Sequence, residues 1–166
     1  MKKIASILLT LTLSLTFLTA CGGGDGETKA SYDVNEVLNK INASVTVPEA
    51  GDLNEEYLTI MMSMSKDDVK SYAGKVTQNG SQCADQIIVI EANDGKIDTV
   101  KQNLEAYKES IVKSHENYPS IALDKAKEGR VVVKGNFAVL VIGGDESVSV
   151  SEAYKAVDTA IDEAFK

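Results

Sequence analysis

The sequence predicts an α+β domain: N-terminal helices followed by two ββα units, their strands forming one antiparallel sheet with helices packed mainly on one face. Three observations carry this expectation. Two apolar runs, Ile87-Ile88-Val89-Ile90 and Val139-Leu140-Val141-Ile142, have the length and β-branched content of strands. Each follows a shorter strand-like segment across a turn signal, Asn79-Gly80 and Gly135-Asn136. Each precedes a segment with one apolar stripe at helical spacing, and helices of that kind stack on a sheet face.

The chain opens on Met1-Lys2-Lys3 and a short apolar stretch, Ile4 to Phe17, then Leu18-Thr19-Ala20-Cys21-Gly22. The stretch has the length of a signal-peptide core and is too short to span a bilayer, and small residues precede the cysteine where a peptidase would cut. The tetrapeptide resembles the bacterial lipobox, in which the cysteine is acylated and becomes the first residue of the mature protein. Residues 1–20 are therefore expected to be a lipoprotein signal peptide and Cys21 the lipidation site. Residues 21–31, glycine-rich and without apolar periodicity, form a flexible tether whose nine residues from Gly22 to Ala30 span on the order of 17 Å. Residues 32–166 form one domain. Two or three acyl chains would hold the protein on the extracytoplasmic face of a cell membrane without spanning it.

In the domain, Asp33 with Glu36 three residues on caps a helix over 34–44 that carries Val34, Leu38, Ile41 and Val45. Pro48 and Gly51 break it. Tyr57 to Met62 is a short apolar segment behind Asn54-Glu55-Glu56, and Ser65 to Asp68 opens a further helical turn. Tyr72–Thr77 and Cys83–Glu91 form a hairpin. A long helix over 98–117 places Val100, Leu104, Tyr107, Ile111 and Tyr118 on one stripe and ends at Pro119. A short helix covers Ile121–Lys127, and Arg130–Lys134 and Asn136–Ile142 form the second hairpin. Ser149 with Glu152 caps the last helix, which turns Ala153, Val157, Ile161 and Ala164 or Phe165 inward. The strand runs and helix stripes of the two halves align with one inserted residue, the signature of either a duplication or a shared ββα habit. Lys75, Thr77, Gln82, Gln86, Arg130 and Lys134 suggest that the sheet face without helices is wet.

Asp67-Asp68-Val69-Lys70-Ser71-Tyr72, Ala84-Asp85-Gln86 before Ile87–Ile90, the long charged helix and Gly135-Asn136-Phe137 before Ala138–Ile142, behind a lipobox, resemble the small lipoproteins grouped as domain of unknown function 4358, found largely in clostridia and their relatives. The resemblance covers about Asp33 to Ile142 and extends through the last helix. It implies a lipid-anchored extracytoplasmic domain, and brings no activity and no functional residues to carry over.

Composition narrows the rest. The chain has 17 Lys and Arg against 25 Asp and Glu, a net charge of −8, and loses Lys2 and Lys3 with the leader. Nucleic acid is excluded as a partner by the lack of a basic patch, and anionic lipid headgroups would repel the domain. With Cys21 acylated, Cys83 has no disulfide partner and is expected to be a buried small apolar residue. Met61, Met62 and Met64 are the only soft-ligand cluster, suited to Cu(I) in principle, but core filling accounts for them. His115 sits beside the apolar stripe near a helix end, and no second histidine follows at metal-binding spacing. Asp67, Asp68, Asp94, Asp98, Asp145, Glu146, Asp162 and Glu163 fall at turns or helix surfaces, with Asp94 and Asp145 in equivalent turns of the two halves. No catalytic residues, metal ligands or cofactor-binding residues are assigned. A non-enzymatic binding or interaction domain for an envelope protein or small ligand is expected; an envelope-acting enzyme using acids or Cys83, and a metal-binding lipoprotein, are the alternatives.

Overall fold

The computed structural model describes residues 32–117 and 120–166; Cys21, the leader, the tether, Tyr118 and Pro119 lie outside them. Helix α1 (Val34–Asn42) begins where the Asp33 carboxylate accepts from the amides of Asn35 and Glu36, at 2.8 and 3.2 Å. A short strand β1 (Ala50–Asp52) follows, then a π-helical turn (Tyr57–Met61) and a 3-10 turn (Lys66–Asp68) capped by Ser65. Strands β2 (Val69–Thr77) and β3 (Gln86–Ala92) precede α2 (Ile97–His115) and α3 (Ile121–Glu128). Strands β4 (Arg130–Lys134) and β5 (Phe137–Ile142) lead to α4 (Val150–Ala164), which Ser149 caps by accepting from the Glu152 amide.

The five strands form one antiparallel sheet in the order β1-β2-β3-β5-β4. The β4–β5 hairpin closes over Gly135 and Asn136, with Lys134 opposite Phe137 and a positive φ of 60° at Gly135, as a two-residue turn requires. The β2–β3 hairpin forms as expected, but Asn79-Gly80 is not its tight turn. The Asn79 carbonyl instead accepts from the amides of Gln82 and Cys83, making a helical turn inside a longer loop. The extra strand β1 was not expected; Pro48 and Gly51 suggested only a break, yet Gly51 pairs with Val76.

The α+β class and the antiparallel sheet hold, while the expected packing of helices mainly on one face does not. Ile88, Ile90, Leu140 and Ile142 pack under α2, α3 and the segment bearing Leu58, Met62 and Met64. Ile87, Val89, Val139 and Val141, the alternate residues of the same strands, pack under α1 and α4. The reason is the composition of β3 and β5. Ile87–Ile90 and Ala138–Ile142 are apolar at successive positions and fully buried, so neither face of the central strands tolerates water. Polar residues expected to wet a bare face lie elsewhere: Arg130 and Lys134 on the outer strand pair with Asp158 and Asp162 of α4, and Gln86 is buried.

Placing α2 and α4 on opposite faces also bears on the internal repeat. The element order contains ββα twice, with α3 inserted. A rotation exchanging the antiparallel strands β3 and β5 would have its axis normal to the sheet and would keep both following helices on one side. The halves are therefore alike in sequence pattern and opposite in hand. In both helices the stripe is slightly wider than expected: Val112 and His115 in α2 and Tyr154 and Ala160 in α4 are also buried, whereas Ile111 and Phe165 are only partly so.

Ile87→Ala and Ile88→Ala, neighbours facing opposite layers, are each expected to lower stability by about 2–5 kcal/mol. Urea unfolding of the two variants checks this; a sheet covered on one face would make one of them close to neutral.

Candidate functional site

Polar groups gather at the end of the sheet where β3 begins and β5 finishes. Asp85, immediately before β3, is 2% exposed, and Lys125 of α3 is 3% exposed. The Lys125 ammonium donates to Asp85 Oδ1 and Glu146 Oε1, each at 2.8 Å. The second Asp85 oxygen accepts from the Cys83 thiol at 2.9 Å. The Tyr154 hydroxyl donates to the Lys125 carbonyl at 2.6 Å and accepts from the Gly143 amide at 3.3 Å, which ties α3, α4 and the end of β5 together. Gly143 is needed there: a Cβ would stand 2.9 Å from Val45 and 3.3 Å from Asp85 Oδ1.

The charges of this cluster are directed at one another. Burial disfavours the Lys125 ammonium, but the hydrogen bonds and charges of Asp85 and Glu146 outweigh it and lift the group above its ordinary value of 10.5. Burial, reinforced by the Asp85 carboxylate, pushes the Cys83 thiol above 9.0. At neutral pH Lys125 is thus an ammonium and Cys83 a thiol, whereas nucleophilic work needs an amine or a thiolate. Such a buried pair costs much of its attraction in desolvation; its strongest effect appears when one partner is removed.

Beside the cluster, on the α2 side of the sheet, a cleft of about 300 Å³ opens between the π-helical turn, the β2–β3 loop and α2. Tyr57 and Tyr107 line it, their hydroxyls 2.6 Å apart and their rings edge to face at 6.0 Å. Burial and the neighbouring Tyr57 hydroxyl push the Tyr107 phenol far up, so it remains a neutral hydroxyl. Gln86 also lines the cleft. Its Nε2 donates to the Ala84 carbonyl at 3.2 Å, while its buried Oε1 has no hydrogen-bond partner among the described residues. An unpaired acceptor in such a place costs roughly 1–3 kcal/mol.

The expected candidates are distributed unevenly around this cleft. Cys83 and His115, which the sequence puts in different elements, both line it; Cys83 is half-buried and His115 buried. Met62 and Met64 fill the core, while Met61 stays 55% exposed at the rim. Among the described residues no three His, Cys, Asp or Glu side chains are grouped to hold a metal ion. Asp94 and Asp145 do not meet, because β3 and β5 are antiparallel and the turns after them lie at opposite ends of the sheet. Asp94 accepts from Asn136, and Asp145 accepts from the Ser147 amide, which holds its carboxyl below the ordinary value. Cys21 lies outside the described residues.

Asp85, Gln86 and Lys125 were not among the site candidates read from the sequence; Gln86 was placed only on a wet sheet face. Two signals were present: Asp85-Gln86 stands directly against a wholly apolar run, and Lys125 lies between Leu123 and Ala126, both inward-facing.

Lys125→Met leaves Asp85 buried without its cation and is expected to destabilise the fold by about 3–5 kcal/mol in urea unfolding. Because the folded Lys125 value is raised, its ammonium is retained below pH 10.5 and is lost as the pH climbs through the higher folded value; the wild-type advantage over Lys125→Met should narrow across that alkaline window. Alkylation of native Cys83 should follow a pH profile with its midpoint above 9.0.

No curated protein and no solved structure gives a significant match to the chain. A family match covers residues 43–143, which include all five strands, Cys83, Asp85, Gln86, Tyr107, His115 and Lys125, and leave α1 and α4 outside. Since this is more than half of the sequence, the chain belongs to the family described as Domain of unknown function (DUF4358).

Proposed function

We propose that this chain is a non-enzymatic binding domain, tethered through an acylated Cys21 to the extracytoplasmic face of a cell membrane, and that its cleft holds a small ligand with an apolar body and an N–H or O–H donor. The observation that carries the binding reading is the unpartnered Gln86 Oε1. Natural interiors pair such atoms, and one left open beside a cleft of about 300 Å³ is a vacancy for a donor. The edge-to-face tyrosines supply a flat apolar wall, and their hydroxyls a second polar contact.

Anchoring is supported by the sequence at Leu18-Thr19-Ala20-Cys21. Among the described residues no helix is long and apolar enough to cross a membrane, so within that part attachment would have to come from elsewhere. An enzyme built on Cys83 has less support, because the adjacent Asp85 carboxylate opposes formation of a thiolate. A metal-binding role has less support: among the described residues no three His, Cys, Asp or Glu side chains are grouped to hold an ion, and Met62 and Met64 are buried in the core while Met61 is exposed.

Cells fed an alkyne-tagged fatty acid are expected to label the wild-type chain and not Cys21→Ala; an unlabelled wild-type chain would remove the acyl anchor. For the cleft, benzamide serves as a minimal planar probe with N–H donors. Titrated into the solubilised full chain, it should shift the amide signals of Gln86 and Tyr107, and Gln86→Leu should abolish the shifts. Equal shifts in the variant would show that the open acceptor does not recognise ligand.

A further inference from the structure

The cleft at Gln86 belongs to a chain with 17 basic and 25 acidic residues, yet among the described residues that line it none is Asp, Glu, Lys or Arg. The neighbouring acid, Asp85, is closed to a ligand: it is 2% exposed, one of its oxygens accepts from Lys125 and the other from the Cys83 thiol. Lys125 in turn spends its ammonium on Asp85 and Glu146. His115 is the one lining side chain of a type that titrates near neutral pH. A charged group entering this cleft would leave water without a counter-ion, and an unpaired charge is costly to bury.

The cleft offers hydrogen-bonding groups instead, and the bonds already made fix their sense. Gln86 is 4% exposed, its Nε2 donates to the Ala84 carbonyl, and its Oε1 is an open acceptor. Ser110 donates its proton to the Tyr107 carbonyl at 2.6 Å and Ser114 to the Ile111 carbonyl at 2.7 Å, so toward the cleft both hydroxyls act as acceptors. The Tyr57 and Tyr107 hydroxyls share one proton across 2.6 Å, which leaves the pair one further proton to donate. Open acceptors thus stand beside a phenolic donor.

We propose that the cleft selects an uncharged carboxamide. Its apolar body would lie against the tyrosine rings, its N–H would donate to Gln86 Oε1 with the serine oxygens as further acceptors, and its carbonyl would accept the remaining tyrosine proton. The inference rests on the reading of the cleft as a ligand site, and narrows it from any donor-bearing molecule to one with donor and acceptor on a single neutral group. The two charged groups of the same outline fit worse. A carboxylate has no N–H and would set its lone pairs against those of Gln86 Oε1. An amidinium can donate to Gln86, but it has no acceptor for the tyrosine proton and finds no free acid to balance its charge. The chain's net charge of −8 would attract the amidinium from a distance, so a preference for the amide must come from the cleft's own groups.

Benzamide, benzoate and benzamidinium share one shape and differ in charge and in hydrogen-bonding sense; aniline keeps the N–H and lacks the carbonyl. Each is titrated into the solubilised full chain at about pH 8, where an ordinary imidazole is uncharged, and followed at the amide signals of Gln86 and Tyr107. Benzamide should bind about tenfold or more tightly than either charged isostere, and about threefold or more tightly than aniline. Ser114→Asp, at an exposed position on the rim, supplies the missing acid and should raise the affinity for benzamidinium relative to benzamide by about threefold. Benzoate, benzamidinium or aniline binding as tightly as benzamide, or an unchanged ratio in Ser114→Asp, would overturn the carboxamide inference and leave a ligand cleft standing. Silence of both amide signals toward all four probes up to their solubility would remove the cleft reading and this inference with it.

Discussion

Burial of β3 and β5 on both faces is the constraint around which the domain is arranged. Ile87–Ile90 and Ala138–Ile142 offer water no polar side, so a layer of helix must lie above and below them. The two cores are built from alternate residues of the same strands, which couples them: a shift of one residue in the β3–β5 register would exchange the side chains that meet α2 with those that meet α4. The outer strands are less demanding. β4 presents a mixed surface held to α4 by Arg130–Asp158 and Lys134–Asp162, exposed pairs that steer orientation more than they stabilise.

The same constraint explains where polarity collects. A strand that cannot carry polar residues along its length must shed them at its ends, and Asp85, Gln86, Gly143 and Glu146 all cluster where β3 starts and β5 stops. There Lys125 and Tyr154 join α3 and α4 to the sheet end through named hydrogen bonds. The cleft lies against this fastened end, so its floor is held by both the charged cluster and the core. A site placed on rigid elements loses little freedom on occupation.

Local chemistry was the most legible part of the sequence. Asp33, Ser65 and Ser149 cap where their spacing predicts, and Gly135-Asn136 turns the chain as its φ requirement demands. The layer arrangement was legible too, but in a different place from where it was sought: each helix has one apolar stripe, which fits either face, and only the uninterrupted apolar strands require two covers. β1 escaped because three residues around a glycine carry no periodicity. The Asp85–Lys125 pair escaped because its members lie forty residues apart and each looks like a surface charge on its own element; Cys83 and His115 line one cleft for a similarly long-range reason.

The cover over Ile87, Val89, Val139 and Val141 comes from the first and last helices of the domain. Their junction spans almost its whole length: the Tyr32 hydroxyl donates to the Phe165 carbonyl at 2.6 Å, and Lys40 reaches the Ala164 carbonyl. A folding chain can pair its strands and cover one face early, with contacts close in sequence. The other face has only α1 over part of it until α4 arrives to complete the cover. The domain is thus sealed by its first and last elements, and closure of this face needs α4 in place.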